Sequence, residues 1–202
     1  MDGLHRAFNP RTVAVVGDKK GQGFFWLKSL KTFQGKVYSV QIDPKEIPLI
    51  EEMGYTNYAS LLDIPDELDY VICSVPRAAA LSVVRDCIRK GVGGVTLVTS
   101  AFAETATEEG RRAQEELGRL AREAGLTLIG PNCMGIFNPK LGLRFSVEQY
   151  SDHGGRVGFI SQSGTHLGHM AVVGALHGVL LSKGVSFGNA VVLDSPTYLE
   201  YL

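Results

Sequence analysis

Short β-branched apolar runs alternate along this chain with longer stretches in which apolar residues recur every three or four positions. Thr12–Val16 is the first such run, and it ends at Gly17, which predicts a buried strand. The turn Gly17-Asp-Lys-Lys-Gly-Gln-Gly23 leads into residues 24–31, the first predicted helix. Residues 37–42 predict a second strand, closed by Asp43-Pro44 because proline cannot extend a hydrogen-bonded ladder. A third strand over 70–74 stops at Val75-Pro76. Leu81, Val84 and Ile88 follow at helical spacing, with Gly91 as a left-handed stop. Residues 94–98 predict a fourth strand. The helix predicted over 107–124 has the apolar stripe Ala113, Leu117, Leu120, Ala121 and Ala124, with Glu108 and Glu109 in its first turn and Gly125 at its end. Thr127–Ile129 is a fifth strand, cut by Gly130-Pro131.

Strands and helices alternating in this way form right-handed crossovers and a mostly parallel sheet covered by helices on both faces. The expected fold class is therefore α/β, a doubly wound nucleotide-binding sheet. Residues 139–155 lose periodicity and collect Gly, Asp, Ser and His, as a linker does. The pattern then restarts, with a strand over 157–160, a Ser-Gln-Ser-Gly turn, a helix over 165–175, a strand over 180–185 and a helix starting near Pro196. The expected organisation is a Rossmann-like domain over 1–140, a linker over 141–155 and a partial second α/β domain over 156–202.

Composition narrows the function classes. The 202 residues have a net charge of −1, without the dense basic face that nucleic-acid or membrane-surface binding needs. The start, MDGLHRAFNP, lacks the basic-then-apolar order of a signal peptide, and no apolar run has the length of a membrane span. Three cysteines without metal-type clustering fit reduced thiols in a cytoplasmic protein.

Gly17, Gly21 and Gly23 lie between a strand and a helix, where glycines let the backbone approach a ligand and leave amides aimed at phosphate. Their order is not the dinucleotide fingerprint, since the third glycine is misplaced. Lys19 and Lys20 add charge suited to a polyphosphate, although a tight turn with solvated lysines has the same sequence. Asp43 stands about 20 residues beyond Gly23, where an acid holds ribose hydroxyls in NAD-binding domains. Lys45 follows, suited to a phosphate on the same ribose. A solvated turn explains both residues equally well.

Several segments together resemble the CoA-binding domain of NDP-forming acyl-CoA synthetases, the family that includes the α-subunit of succinyl-CoA synthetase. They are FNPRTVAVVG, GKVYSVQIDPK, DIPDELDYVICSVP, SAFAET, IGPNCMGIFNP, VGFISQSG and SFGNA, in family order from Phe8 onward. GPNCMG followed at a distance by SQSG is the specific pair. The resemblance implies a Rossmann-like CoA-binding domain followed by the start of a flavodoxin-like domain. It assigns the CoA phosphates to Gly17, Lys19, Lys20, Gly21 and Gly23, and the ribose phosphate to Lys45. Ser74, Val75 and Pro76 would flank the adenine or upper pantetheine, Ser100, Ala101 and Phe102 the pantetheine arm, and Pro131, Asn132 and Cys133 the thiol end. The first turn departs from the family pattern. It is short, and it holds Asp18 where a small residue is common; an acid there is unfavourable beside a pyrophosphate unless it points away or pairs with a lysine.

Ser161, Ser163, Gly164 and Thr165 form a second strand-to-helix turn, whose free amides suit a phosphate and whose serines suit an N-cap. In the family this helix faces a phosphohistidine further along the second domain. His166 and His169, spaced i, i+3 with no third ligand, do not replace it and make no metal site. Cys133 has no base nearby in sequence and reads as a core cysteine before a nucleophile. ATP, ADP and Mg would act only through parts outside these residues, with an ATP-grasp domain or β-subunit as partner. The chain is thus expected to be a CoA-binding component of an NDP-forming acid–CoA ligase, not competent alone. A non-catalytic CoA or nucleotide sensor and an NAD-binding Rossmann domain are the alternatives.

Overall fold

A computed structural model describes residues 2–202. In chain order its elements are α1 (Asp2–Phe8), β1 (Thr12–Val16), α2 (Phe25–Ser29), β2 (Lys36–Val40), α3 (Ile47–Glu52), β3 (Thr56–Tyr58), β4 (Tyr70–Cys73) and α4 (Arg77–Lys90). They continue as β5 (Gly94–Leu97), α5 (Glu108–Glu123), β6 (Thr127–Ile129), β7 (Gly135–Phe137), β8 (Val157–Ser161), α6 (Gly164–Leu176), β9 (Leu181–Ser186) and α7 (Ser195–Tyr201).

β1 to β6 form one parallel sheet in the order β3-β2-β1-β4-β5-β6. The central strands are buried on both faces, which is why they read as unbroken apolar runs. Their alternate side chains feed two cores. Val13, Val15, Tyr70 and Ile72 point to one, with Leu4 and Phe8 of α1, Leu27 of α2 and Ile50 of α3. Ala14, Val16, Val71 and Cys73 point to the other, against Ala80, Val84 and Cys87 of α4 and Leu117 and Ala121 of α5. The second sheet, in the order β7-β9-β8, joins the first of these cores through Ile136, Phe137 and Val185.

Helix ends follow their chemistry. Thr107 caps α5 by accepting the Gly110 amide at 3.1 Å, and Gly91 closes α4 with φ of 68°. α2 is shorter than predicted. Phe24 takes a left-handed φ of 51° just before it, and after Ser29 the chain tightens into a 3-10 turn over Leu30–Thr32. The Tyr55 hydroxyl donates to the Leu27 carbonyl at 2.7 Å and the Arg144 guanidinium to the Ser29 carbonyl at 2.9 Å, so side chains satisfy these acceptors where the helix ends. The aperiodic residues 138–155 are ordered by side-chain bonds. The Gln149 carboxamide oxygen accepts the Phe145 and Ser146 amides, each at 3.0 Å, and Asn138 donates to the Phe8 carbonyl at 2.8 Å. Among the described residues no helix is long and apolar enough to cross a membrane.

Asp69 ties the entry of β1 to α1. Its carboxylate accepts the Arg11 amide at 2.9 Å, the Thr12 amide at 3.2 Å and the Arg6 guanidinium at 3.0 Å. Burial pushes this carboxyl up, but the amides and the guanidinium together outweigh it and hold it below the usual carboxylate range. Its stabilisation is therefore present above the ordinary carboxylate pKa and lost as pH falls through the lowered folded value. Asp69→Ala is expected to cost about 3 kcal/mol at neutral pH, with the urea midpoints of mutant and wild type converging in acid. A constant gap across pH would show that the ionised carboxylate is not what matters.

Candidate ligand-binding site

The strand order reverses at β1, with β2 on one side and β4 on the other, which opens a crevice at the carboxyl ends of these strands. Gly17 sits at its floor with φ of 85°. Its amide donates to the Val40 carbonyl at 3.0 Å, and the Ser74 amide donates to the Val16 carbonyl at 2.9 Å. A Cβ on Gly17 would lie 2.6 Å from Val75 Cγ1 and 2.9 Å from the Ser74 carbonyl oxygen, so only glycine lets the two strand ends approach this closely.

Two cavities flank this point and share Val75. The larger, about 440 Å³, is lined by Lys19 and Gln22 from the first turn, Ser74, Pro76 and Arg77 after β4, and Ser100 and Ala101 after β5. The smaller, about 230 Å³, is a mostly apolar slot between Gly17, Val40, Ile42, Leu61, Ala79 and Val83. Two cations and no carboxylate line the first. The second is lined mostly by apolar groups, with Gln41, Ser60, Ser82 and Asp86 as its polar ones.

The first turn is not an open amide cradle. Asp18 is 1% exposed and points inward, where its carboxylate accepts the Leu27 amide at 2.8 Å and the Lys19 amide at 3.1 Å. Burial pushes its carboxyl up, opposed by the amides of Leu27, Lys19 and Trp26. The Leu27 amide in the first turn of α2 is thus taken by the chain itself. Glu46 likewise accepts the Lys20 amide at 2.8 Å. Gly21 and Gly23 lie in open, exposed turn.

The structure gathers Lys19, Ser74, Val75, Pro76, Ser100 and Ala101 around one cavity and sets Gly17 in the wall of the other. Lys45 is exposed in the turn after β2, three residues beyond Ile42 of the apolar slot, with its amide on the Asp43 carboxylate at 2.9 Å. Phe102 is fully buried in the α5 core. Cys133 is buried as well, with its Sγ 3.7 Å from the Leu97 and Ile129 carbonyls, and burial pushes its thiol up to about 12. At that value it holds no thiolate at neutral pH. Of the lining residues that sequence reasoning missed, Gln22, Arg77, Val98 and Thr99, Arg77 is the charged one. Its signal was a cation directly after Val75-Pro76, at the first position of a helix leaving the crevice.

A third cavity, also about 440 Å³, lies at the start of α6, between Ser163, Gly164, Thr165, Asn132, Asn189 and Glu104. Ser163 is the N-cap, accepting the His166 amide at 3.3 Å. Ser161 closes the turn by donating to the Ser163 carbonyl at 3.0 Å and accepting the Ser163 amide at 3.1 Å. Gly164 and Thr165 line this space, and their amides, in the first turn of α6, have no carbonyl of their own helix to donate to. Pro131 is buried, and its carbonyl accepts the amide of the lining residue Asn189 at 3.0 Å. Glu104 organises the far wall, accepting the Ala101 amide at 2.6 Å and the Asn189 carboxamide at 2.6 Å. Burial pushes the Glu104 carboxyl up, but these donors outweigh it and keep it below the usual value.

A family model described as a CoA binding domain matches residues 11–139. The acetate–CoA ligase (ADP-forming) I of Archaeoglobus fulgidus is 34% identical over 202 aligned residues, covering 98% of this chain and 29% of that protein. The acetate–CoA ligase (ADP-forming) II subunit alpha of Pyrococcus furiosus is 38% identical over 199, covering 96% of this chain and 42% of that subunit. The dinucleotide-forming acetyl-coenzyme A synthetase 1 of Candidatus Korarchaeum cryptofilum, solved in complex with phosphate and ADP, superposes with a TM-score of 0.86 at 32% identity. That superposition covers 100% of this chain and 43% of the synthetase. The chain therefore spans less than half the length of these relatives. The family match runs through the whole six-stranded sheet, from β1 to β6, and the chain belongs to the family of CoA binding domains.

Proposed function

We propose that this chain is the CoA-binding component of an NDP-forming acid–CoA ligase, in which an acyl phosphate is attacked by the CoA thiolate to give acyl-CoA and phosphate. The observation that supports it most is the pair of cavities that share Val75 beside Gly17, one cationic and one mostly apolar, in a chain of this family. The adenine enters the apolar slot, the 3′-phosphate meets Lys45, and the diphosphate lies over the cavity of Lys19. The pantetheine arm then runs past Ser100 and Ala101 toward Asn132 and the start of α6. There the Gly164 and Thr165 amides hold the phosphoryl group, beside the thiol, at the positive end of the helix dipole. The phosphohistidine, the nucleotide and its Mg belong to parts outside these 202 residues, with an ATP-grasp domain or partner subunit supplying the nucleotide site.

Lys45→Ala is expected to weaken CoA by about 1–3 kcal/mol, the range for a charge-assisted hydrogen bond to phosphate, and to leave dephospho-CoA unchanged. Calorimetric titration of both ligands checks this. Equal losses for the two would remove Lys45 from the ribose phosphate.

A further inference from the structure

The cavity over the first turn needs positive charge to hold a diphosphate, and the usual source is closed. Asp18 already holds the Leu27 amide in the first turn of α2 with a buried carboxylate, which puts a negative charge of the chain's own at that helix start. What remains around the cavity are two side-chain cations, Lys19 from the β1 side and Arg77 from the β4 side, with no acid among the lining residues.

Arg77 is held in an unusual way. Its guanidinium reaches from α4 across the mouth of the cavity to the loop after β5, donating to the Ala101 carbonyl at 2.5 Å and pairing with Glu109. The Arg77 side chain is 24% exposed and that of Glu109 80% exposed. A pair with one partner so open to water contributes little to stability, because solvent screens it and the glutamate is free to move. A planar guanidinium bonded to two phosphate oxygens makes a far stronger contact.

We infer that Arg77 is the principal diphosphate-binding side chain of this protein, and that Glu109 holds it in reserve until the ligand displaces the carboxylate. This rests on the CoA reading above and adds to it how the chain compensates for the closed helix end. Binding is then an exchange. The guanidinium swaps Glu109 for phosphate and keeps the Ala101 carbonyl, which ties the β5–α5 loop and the pantetheine segment Ser100-Ala101 to the bound ligand.

The experiment titrates the full chain with CoA, dephospho-CoA and pantetheine, in wild type, Arg77→Gln and Glu109→Gln. Arg77→Gln is expected to weaken CoA and dephospho-CoA alike by about 10- to 100-fold, as loss of a charge-assisted pair does, and to leave pantetheine, which has no phosphate, unchanged. Glu109→Gln removes the competitor and is expected to tighten CoA about 2- to 5-fold. If Arg77→Gln fails to fold, the sign of the Glu109→Gln effect decides alone. Unchanged or weaker CoA binding in Glu109→Gln overturns the exchange. An Arg77→Gln protein that binds CoA as wild type does, or that loses pantetheine equally, overturns the assignment while leaving the CoA reading intact. Wild type that binds no CoA removes the reading itself, and the inference with it.

Discussion

Asp18→Ala is expected to destabilise the protein by about 2–4 kcal/mol, read as a shift of the urea midpoint at unchanged slope. The substitution removes the acceptor of the Leu27 and Lys19 amides at a position that is 1% exposed, and each buried donor left without a partner costs about 1–3 kcal/mol. The charge itself offsets part of that gain, because burial pushes the Asp18 carboxyl above its ordinary pKa. A carboxyl raised in the folded state contributes most below the unfolded value, and its contribution falls as pH rises through the folded one, the reverse of Asp69. The gap between wild type and Asp18→Ala is therefore expected to widen, not close, on acidification. A substitution that left stability unchanged would mean that water enters the start of α2 and satisfies those amides.

Gly17→Val is expected to abolish most ligand binding, by about 100-fold or more, and to lower stability by about 2–4 kcal/mol. With φ of 85°, a β-branched residue meets a conformation it adopts only under strain. Its Cβ would also stand 2.9 Å from the carbonyl oxygen of Ser74, whose amide is tied to the Val16 carbonyl at 2.9 Å. Relief requires the ends of β1 and β4 to part, and that movement deforms both cavities sharing Val75. Calorimetry with CoA and urea denaturation separate the two effects. Gly17→Ala, with the same strain and no branching, is expected to fall between wild type and valine. Full binding by Gly17→Val would show that the crevice floor does not contact the ligand.

The parallel sheet was legible because β1, β4 and β5 are covered on both faces, which leaves a run of apolar residues that only a buried strand explains. Elements without that imprint were missed. β3 is an edge strand of sequence Thr-Asn-Tyr whose residues stay partly exposed, so no apolar alternation marks it. α1 has seven residues and α3 six, too short to show a helical period, and β7 takes its pairing from β9 across the fold. At the crevice, the place of Gly17 and of Ser74-Val75-Pro76 at the strand ends was readable from sequence, because backbone position fixes it. Side-chain direction was not. Asp18 turns inward because the α2 amides lie behind it, and Arg77 reaches the cavity because Ala101 lies across it. Both depend on contacts between segments far apart in the chain.

Competition calorimetry tests the central claim most directly, with CoA titrated into the full chain in the absence and presence of excess NAD. Saturable binding of one CoA per chain, undiminished by NAD, is the expected result. Heat from NAD that CoA fails to displace, or no heat from CoA at all, would contradict the claim that the crevice between β1 and β4 is a coenzyme A site.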